Sequence, residues 1–328
     1  MGKQWQQILA AFILGLILPG LAARLGANTM EPLPQVQIQL PETSEQANQP
    51  AEPEPYRIPV LMPDAQVVFM ELEAYLVGVV LAEMPASFEK EALKAQAVVA
   101  RTYALKRGAE GVRHPEGAVC TDSGCCQAYI SPEAYQNSWG TLADVLKITV
   151  AVEETAGQVL TYNGQLAEAT YFSCSGGRTE DAAAVWGTDI PYLQAVDSPG
   201  EERALPYSKT VSFTQGEFAR ALGRNLTGHP KDWLGVVTYT AGGGVATMVV
   251  AGISYTGVRL RQLLGLNSTA FTMTVVDGNI QVTTLGKGHR VGMSQYGADA
   301  MAVTGSTFLQ ILSHYYPGTK IDKMDAIG

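Results

Sequence analysis

Glu83 stands at the end of an apolar run and just before a proline, in the stretch LAEMPASFEKEALKAQAVVARTYAL (residues 81–105). Leu72, Tyr75, Leu76, Val79, Val80 and Glu83 recur at the spacing of one α-helical face. Glu83 therefore closes a stripe built for burial, and Pro85 stops the helix behind it. A carboxyl so placed loses solvation when charged, so its pKa rises. It can then stay protonated near neutrality and give its proton to a leaving oxygen. The competing role is an ion pair. Arg101 is the partner for that, on an Ala- and Val-rich face of a second helix expected from near residue 87 to 107, with Gly108 as its C-cap.

Two glycine-containing stretches offer polar groups. In YFSCSGGRTEDAAAVWG (171–187), Ser175, Arg178 and Thr179 follow an apolar strand in a flexible turn. Arg178 there can reach saccharide or peptide oxygens, or simply be a solvated turn residue. In GKGHRVGMSQYGADAMA (286–302) the glycines are not spaced as GxGxxG and no P-loop Lys-Ser/Thr follows, so a nucleotide loop is excluded. The segment reads better as a groove lining, with His289, Ser294, Gln295 and Tyr296 as contacts. Competing roles are a second proton carrier for His289 and a helix N-cap for Ser294. Finally, His114, Cys120 and Cys126 fall at intervals of six residues. Imidazole and thiolates are zinc ligands, and three of the four cysteines crowd into one loop. Cys125 is a spare that could exchange with Cys126. A disulfide from Cys120 to Cys125 or Cys126 is the alternative. No organic cofactor is expected.

The elements that must position these groups are mixed. Strands are expected at 57–62, 145–151, 159–162, 169–172, 234–240, 246–250 and 280–284, with Gly242-Gly243-Gly244 as a hairpin turn. Helix starts are marked by Thr214 with Glu217, a capping box, and by Ser131 before Pro132. Residues 257–264 and 308–315 also read as helical. Without a regular βαβ alternation, the fold class is α+β, as one body or as two lobes around a substrate cleft.

Residues 4–23 hold no charge and are almost wholly apolar from 8 onward, about one hydrocarbon thickness of helix. Residues 1–27 are thus expected to be a membrane anchor, with a cleaved signal peptide as the competing reading. Residues 28–56 are rich in Pro, Gln and Glu and form an extracytoplasmic tether. The folded part, 57–328, is exported either way. The whole chain's net charge of −9 and pI near 5.0, with no basic cluster, argue against nucleic acid as partner.

Three of these segments together resemble a known family. YLVGVVLAEMPASFEKEALKAQAVVARTYAL (75–105), YFSCSGGRTEDAAAVWG and GKGHRVGMSQYGADAMA are similar, in order, to the signatures of stage II sporulation protein D and the amidase enhancers. The resemblance implies a lytic transglycosylase of sporulation engulfment, acting on peptidoglycan glycan strands freed of stem peptides. It implies Glu83 as the single catalytic residue: first an acid on the glycosidic oxygen, then a base on the C6 hydroxyl of N-acetylmuramic acid, closing a 1,6-anhydro ring. An ordinary glycosidase needs two carboxylates; Glu180 and Asp181 are the candidates for a second. It further implies a structural zinc on one His and two Cys, matching His114, Cys120 and Cys126. The implied partners are an amidase/endopeptidase and a multi-pass membrane protein. A non-catalytic peptidoglycan-binding enhancer of an amidase is the second reading.

Overall fold

The computed structural model describes residues 55–326, apart from 112, 115 and 116. The expected membrane segment and nearly all of the tether lie outside these residues. Among those described, no helix is long and apolar enough to cross a membrane.

The chain opens with a hairpin, β1 (Arg57–Leu61) and β2 (Val67–Glu71), then α1 (Leu72–Glu83) and α2 (Lys90–Glu110). β3 (Val119–Cys120) adds to β1 in parallel. After α3 (Pro132–Ser138) and α4 (Leu142–Glu153) come β4 (Gln158–Tyr162), β5 (Gln165–Leu166), β6 (Tyr171–Phe172) and α5 (Ala182–Trp186). A second group follows: β7 (Ser208–Phe213), α6 (Gln215–Ala221), β8 (Leu234–Tyr239), β9 (Val245–Val250), β10 (Ile253–Thr256), α7 (Gly257–Leu264), β11 (Phe271–Val276) and β12 (Asn279–Leu285). The chain then returns to the first group with β13 (Met293–Ser294), α8 (Gln295–Val303), α9 (Phe308–Tyr315) and β14 (Lys320–Lys323). The sheets are small, in orders β2-β1-β3, β10-β9-β8, β11-β12-β7, β13-β6 and β14-β4-β5. This is the α+β class expected.

Two separate apolar cores result. The first gathers α1, α2, α4, α8 and α9. The second packs Phe218, Trp233, Met248, Leu260, Phe271 and Ile280 from the 208–285 segment. Each such side chain, fully buried, contributes roughly 1.5–3 kcal/mol.

Local signals explain most elements. The capping boxes Thr214/Glu217 and Thr307/Gln310, and the Ser131 cap before Pro132, start α6, α9 and α3. The strand expected over 145–151 is instead helix α4. Thr141 and Asp144 form a capping box there, and Val145, Ile148, Ala151 and Val152 make a buried stripe. Cap and helical periodicity outweigh the strand preference of the β-branched residues. Helix α2 also runs one turn past its expected end, because Gly111 rather than Gly108 takes the left-handed C-cap conformation (φ 63°).

Helix α1 is buried along its whole middle, from Tyr75 to Leu81, not on one face only. It is the central helix, apolar all round because it is surrounded.

Candidate functional site

Glu83 is the last residue of α1, and its carboxyl reaches a cleft of about 1180 Å³. Behind it Lys147 Nζ donates to the carbonyls of Ala86 and Phe88, both at 2.7 Å, holding the turn. The carboxyl meets a backbone donor because α1 carries Gly78: a Cβ there would lie 2.3 Å from the Tyr129 ring. Without it the 127–130 segment seats against the helix, Ile130 N–H donates to the Gly78 carbonyl (3.2 Å), and Ala128 N–H donates to Glu83 Oε1 (2.8 Å).

Tyr171 and Gln295 stand beside Glu83 and act to lower its pKa, although Tyr171 gives its proton to Gln127 and the buried Gln295 Nε2 has no hydrogen-bond partner among the described residues. They arrive together because β6 and β13 pair in parallel, with Tyr171 opposite Met293 and Phe172 opposite Ser294. Ser294 accepts from Gly297 N–H (3.2 Å) as the cap of α8, which makes Gln295 its first residue. Tyr171 Oη donates to Gln127 Oε1 at 3.0 Å, and Gln127 Nε2 in turn donates to Tyr75 Oη at 3.4 Å. Burial raises the pKa of Glu83 above the ordinary carboxylate range, and the Ala128, Gln295 and Tyr171 contacts only partly oppose it. The expected position and the expected direction of shift both agree with this geometry. Tyr171 and Gln127 were missed, since single polar residues in an apolar strand or a loop carry no periodic signal.

Several expected contacts lie elsewhere. Arg101 is fully buried and does not face the cleft: its Nε and Nη2 donate to Glu73 at 2.9 and 2.5 Å, and Nη1 to the Gln158 carbonyl at 3.0 Å. Its role is the ion pair, with Glu73 rather than Glu83. Ser175 and Thr179 are buried as well. Ser175 Oγ donates to Glu201 (2.7 Å), and Thr179 Oγ1 to the carbonyls of Gln194 and Val196. Arg178 pairs with Asp197 outside the cleft. Ser294 donates to Glu201 and caps α8, and Tyr296 packs edge-on against Phe88 with ring centroids 4.9 Å apart. Of the eight residues expected to touch substrate, only His289 and Gln295 line the cleft. The Ser175, Thr179 and Ser294 hydroxyls are drawn inward because the Glu201 carboxylate and carbonyls distant in sequence accept from them, and buried polar groups need such partners.

His289 sits between Phe172 and Trp186, with centroids at 5.5 and 5.6 Å. Its Nδ1 accepts from Val291 N–H (3.2 Å). Burial and the nearby Arg261 hold its pKa down at about 4, so the ring is neutral at physiological pH. The second acids fare no better as cleft groups. Glu180 is buried and accepts from Arg290 Nη1 (3.0 Å) and Gly244 N–H (2.9 Å), while Asp181 accepts from Ala195 N–H (2.7 Å). The other carboxylate on the cleft is Glu168, which is paired with Arg107.

Beside the cleft, His114, Cys120, Cys125 and Cys126 bring their donor atoms within 4.8 Å of one another. His114 Nε2 lies 3.3 Å from Cys125 Sγ and 3.6 Å from Cys126 Sγ. All four cysteines are free thiols, so the disulfide alternative is not formed. Tetrahedral zinc bonds of roughly 2.0–2.3 Å place ligand atoms about 3.3–3.8 Å apart, and an imidazole with three thiols is a zinc donor set. The residues fit the ion, with Cys125 supplying the fourth position.

A cleft with one half-buried, hydrogen-bonded acid, built from loops of two cores, defines a class of α+β proteins rather than a single member. Residues 65–162 match the family model described as stage II sporulation protein. Stage II sporulation protein D of Bacillus subtilis is 44% identical over 278 residues, covering 83% of this chain and 80% of that protein. The same protein of Bacillus amyloliquefaciens is 40% identical over 286 residues, covering 84% and 83%. The amidase enhancer of Bacillus subtilis is 30% identical over 305 residues, covering 75% of this chain and 40% of that protein. The chain belongs to the stage II sporulation protein D family.

Proposed function

We propose that this protein is a lytic transglycosylase of sporulation, held at the membrane by its N-terminal segment and cutting extracytoplasmic peptidoglycan strands that have lost their stem peptides. The observation that carries the reading is Glu83: a carboxyl whose pKa is raised by burial, opening on a cleft large enough for several sugars. Protonated Glu83 donates to the glycosidic oxygen as the C1–O bond breaks. The resulting carboxylate, steadied by Ala128 N–H, takes the proton of the C6 hydroxyl as O6 bonds to C1. The proton count closes on one residue and no water is consumed. That Glu180 and Asp181 are engaged away from the cleft, and Glu168 by Arg107, supports this route over hydrolysis with a second carboxylate.

His114, Cys120, Cys125 and Cys126 would hold a structural zinc. The ion would supply cross-linking of the 114–126 loop, which leads directly into Ala128. The amidase enhancer among the relatives supports association with an amidase. The same likeness favours a second reading, a peptidoglycan-binding enhancer without its own chemistry. A multi-pass membrane protein is the further partner that the family resemblance implies.

The test is mass spectrometry of amidase-treated strands incubated with the full chain, wild type beside Glu83→Ala. Anhydro-muramyl ends from wild type alone are expected. Reducing ends would mean hydrolysis instead, and no cleavage with retained glycan binding would favour the enhancer reading.

A further inference from the structure

The cleft is cationic although the chain is not. Against a net charge of −9, the wall presents Arg107, Arg113, Arg261 and Lys287 with only Glu83 and Glu168 as carboxylates. Two of the cations are already engaged. Arg107 pairs with Glu168 and Glu110, and Arg113 Nη1 donates to the Cys125 carbonyl at 2.7 Å.

Arg261 and Lys287 are not. Arg261 Nε donates to the Leu266 carbonyl (3.3 Å), which anchors the guanidinium. Among the described residues its two Nη groups have no hydrogen-bond partner, and neither Arg261 nor Lys287 has a carboxylate within ion-pair distance. Burial pulls the pKa of Arg261 below the usual guanidinium range, the mark of a charge with too little solvent and no counter-ion. Lys287 is held by its backbone, which exchanges hydrogen bonds with Cys174 at 2.7 and 3.1 Å. The two cations come from different elements, Arg261 from α7 in the second core and Lys287 from the loop before β13. They are brought together where Gly288 N–H donates to the Asn267 carbonyl (3.0 Å), next to the Leu266 carbonyl that holds Arg261. Trp186 stands in the same wall, 41% exposed and backed by the neutral ring of His289. A flat aromatic face beside free cations suits a sugar ring that bears an acid.

We propose that Arg261, Lys287 and Trp186 form a subsite that binds the free lactyl carboxylate of a muramic acid residue, with Trp186 under its ring. This rests on the glycan reading above and names what in the strand is recognised. Arg261 offers two parallel N–H donors to the carboxylate, and Lys287 a point charge. A stem peptide converts that carboxylate to a neutral amide and adds bulk, so the subsite makes prior peptide removal a condition of tight binding.

The experiment compares two strand preparations: peptide-free strands, and the same strands with lactyl carboxyls capped as methylamides. Full-length wild type, Arg261→Gln/Lys287→Gln and Arg261→Lys are assayed for KM and kcat. A charge-assisted contact is worth roughly 10–100-fold in binding, so wild type is expected to prefer the carboxylate strands by that ratio, through KM. In the double variant the ratio falls toward one, and Arg261→Lys restores part of it. A wild type that treats both strands alike, or a double variant that keeps the full ratio, overturns the subsite. Binding of both strands to Glu83→Gln is measured in parallel. Carboxylate-dependent binding without cleavage by wild type would sink the transglycosylase and keep the subsite.

Discussion

Two glutamates in this fold have opposite surroundings. Glu201 is fully buried and accepts from Ser175 N–H and Oγ, Gly176 N–H, Gly177 N–H, Ser198 Oγ and Ser294 Oγ. Glu83 is less buried, yet its one hydrogen-bond donor among the described residues is Ala128 N–H, with Gln295 and Tyr171 standing beside it. A carboxylate whose oxygens are taken up by fixed donors is a structural pin, because it ties those donors together and has nothing left to offer a ligand. One left short of donors beside a cleft holds its proton and has an opening through which to give it away. Donor count, rather than depth of burial, separates the two roles.

The largest effect is expected at Glu201. Glu201→Ala strands three backbone N–H groups and three hydroxyls in a buried turn, at a cost of at least ~3 kcal/mol. Denaturant unfolding reads this as a lower midpoint with an unaltered slope. A loss below ~1 kcal/mol would break the contrast, since it would make the donors indifferent to their acceptor.

Next comes the loop of His114 and the three cysteines, proposed to hold zinc, because Glu83's backbone donor lies two residues past Cys126. Chelation of the full chain is expected to lower its Tm and to slow glycan cleavage without abolishing it, within the ~1.5–3 kcal/mol of one hydrogen bond to a charge. Metal analysis of Cys125→Ser should show an affinity loss beyond the roughly 10–100-fold of a lost outer-shell partner. Cleavage indifferent to chelation would detach the loop from the acid.

The smallest effect concerns pH. Glu83 binds its proton more tightly in the folded chain than in the unfolded one, so the native state loses stability as pH rises from the ordinary carboxylate range through the raised value. Glu83→Gln lacks this penalty. It should be modestly more stable than wild type at neutral pH and equal to it in acid, while wild-type kcat/KM falls on the alkaline side of the same titration. A variant less stable at pH 7 would show Glu83 to be a pin like Glu201.

Much of the scaffold is legible in the sequence because its signals are local. Helices α7 and α9 follow from residues 257–264 and 308–315 as read, and the caps at Ser131 and Thr214 mark true starts. The site was legible only in part. Glu83 stands out as an acid closing an apolar run, and His114, Cys120 and Cys126 as donors at close spacing. Arg101, Ser175 and Thr179 share chemistry with binding residues, and nothing in their neighbours reveals that Glu73, Glu201 and distant carbonyls meet them. Tyr171, Glu168, Trp186 and Arg261 had no signal, because each reaches the cleft from a different element.

By itself, then, the sequence determined the class, the central apolar helix, its terminal acid and the cysteine cluster, all consequences of propensity and spacing along the chain. The tertiary structure alone decided which polar groups face the cleft. Pairing of β6 with β13 delivers Tyr171 and Gln295 to Glu83 from positions more than a hundred residues apart. The second core delivers Arg261 to the same cleft. Such encounters are paid for by burial elsewhere in the two cores, so local sequence holds no record of them.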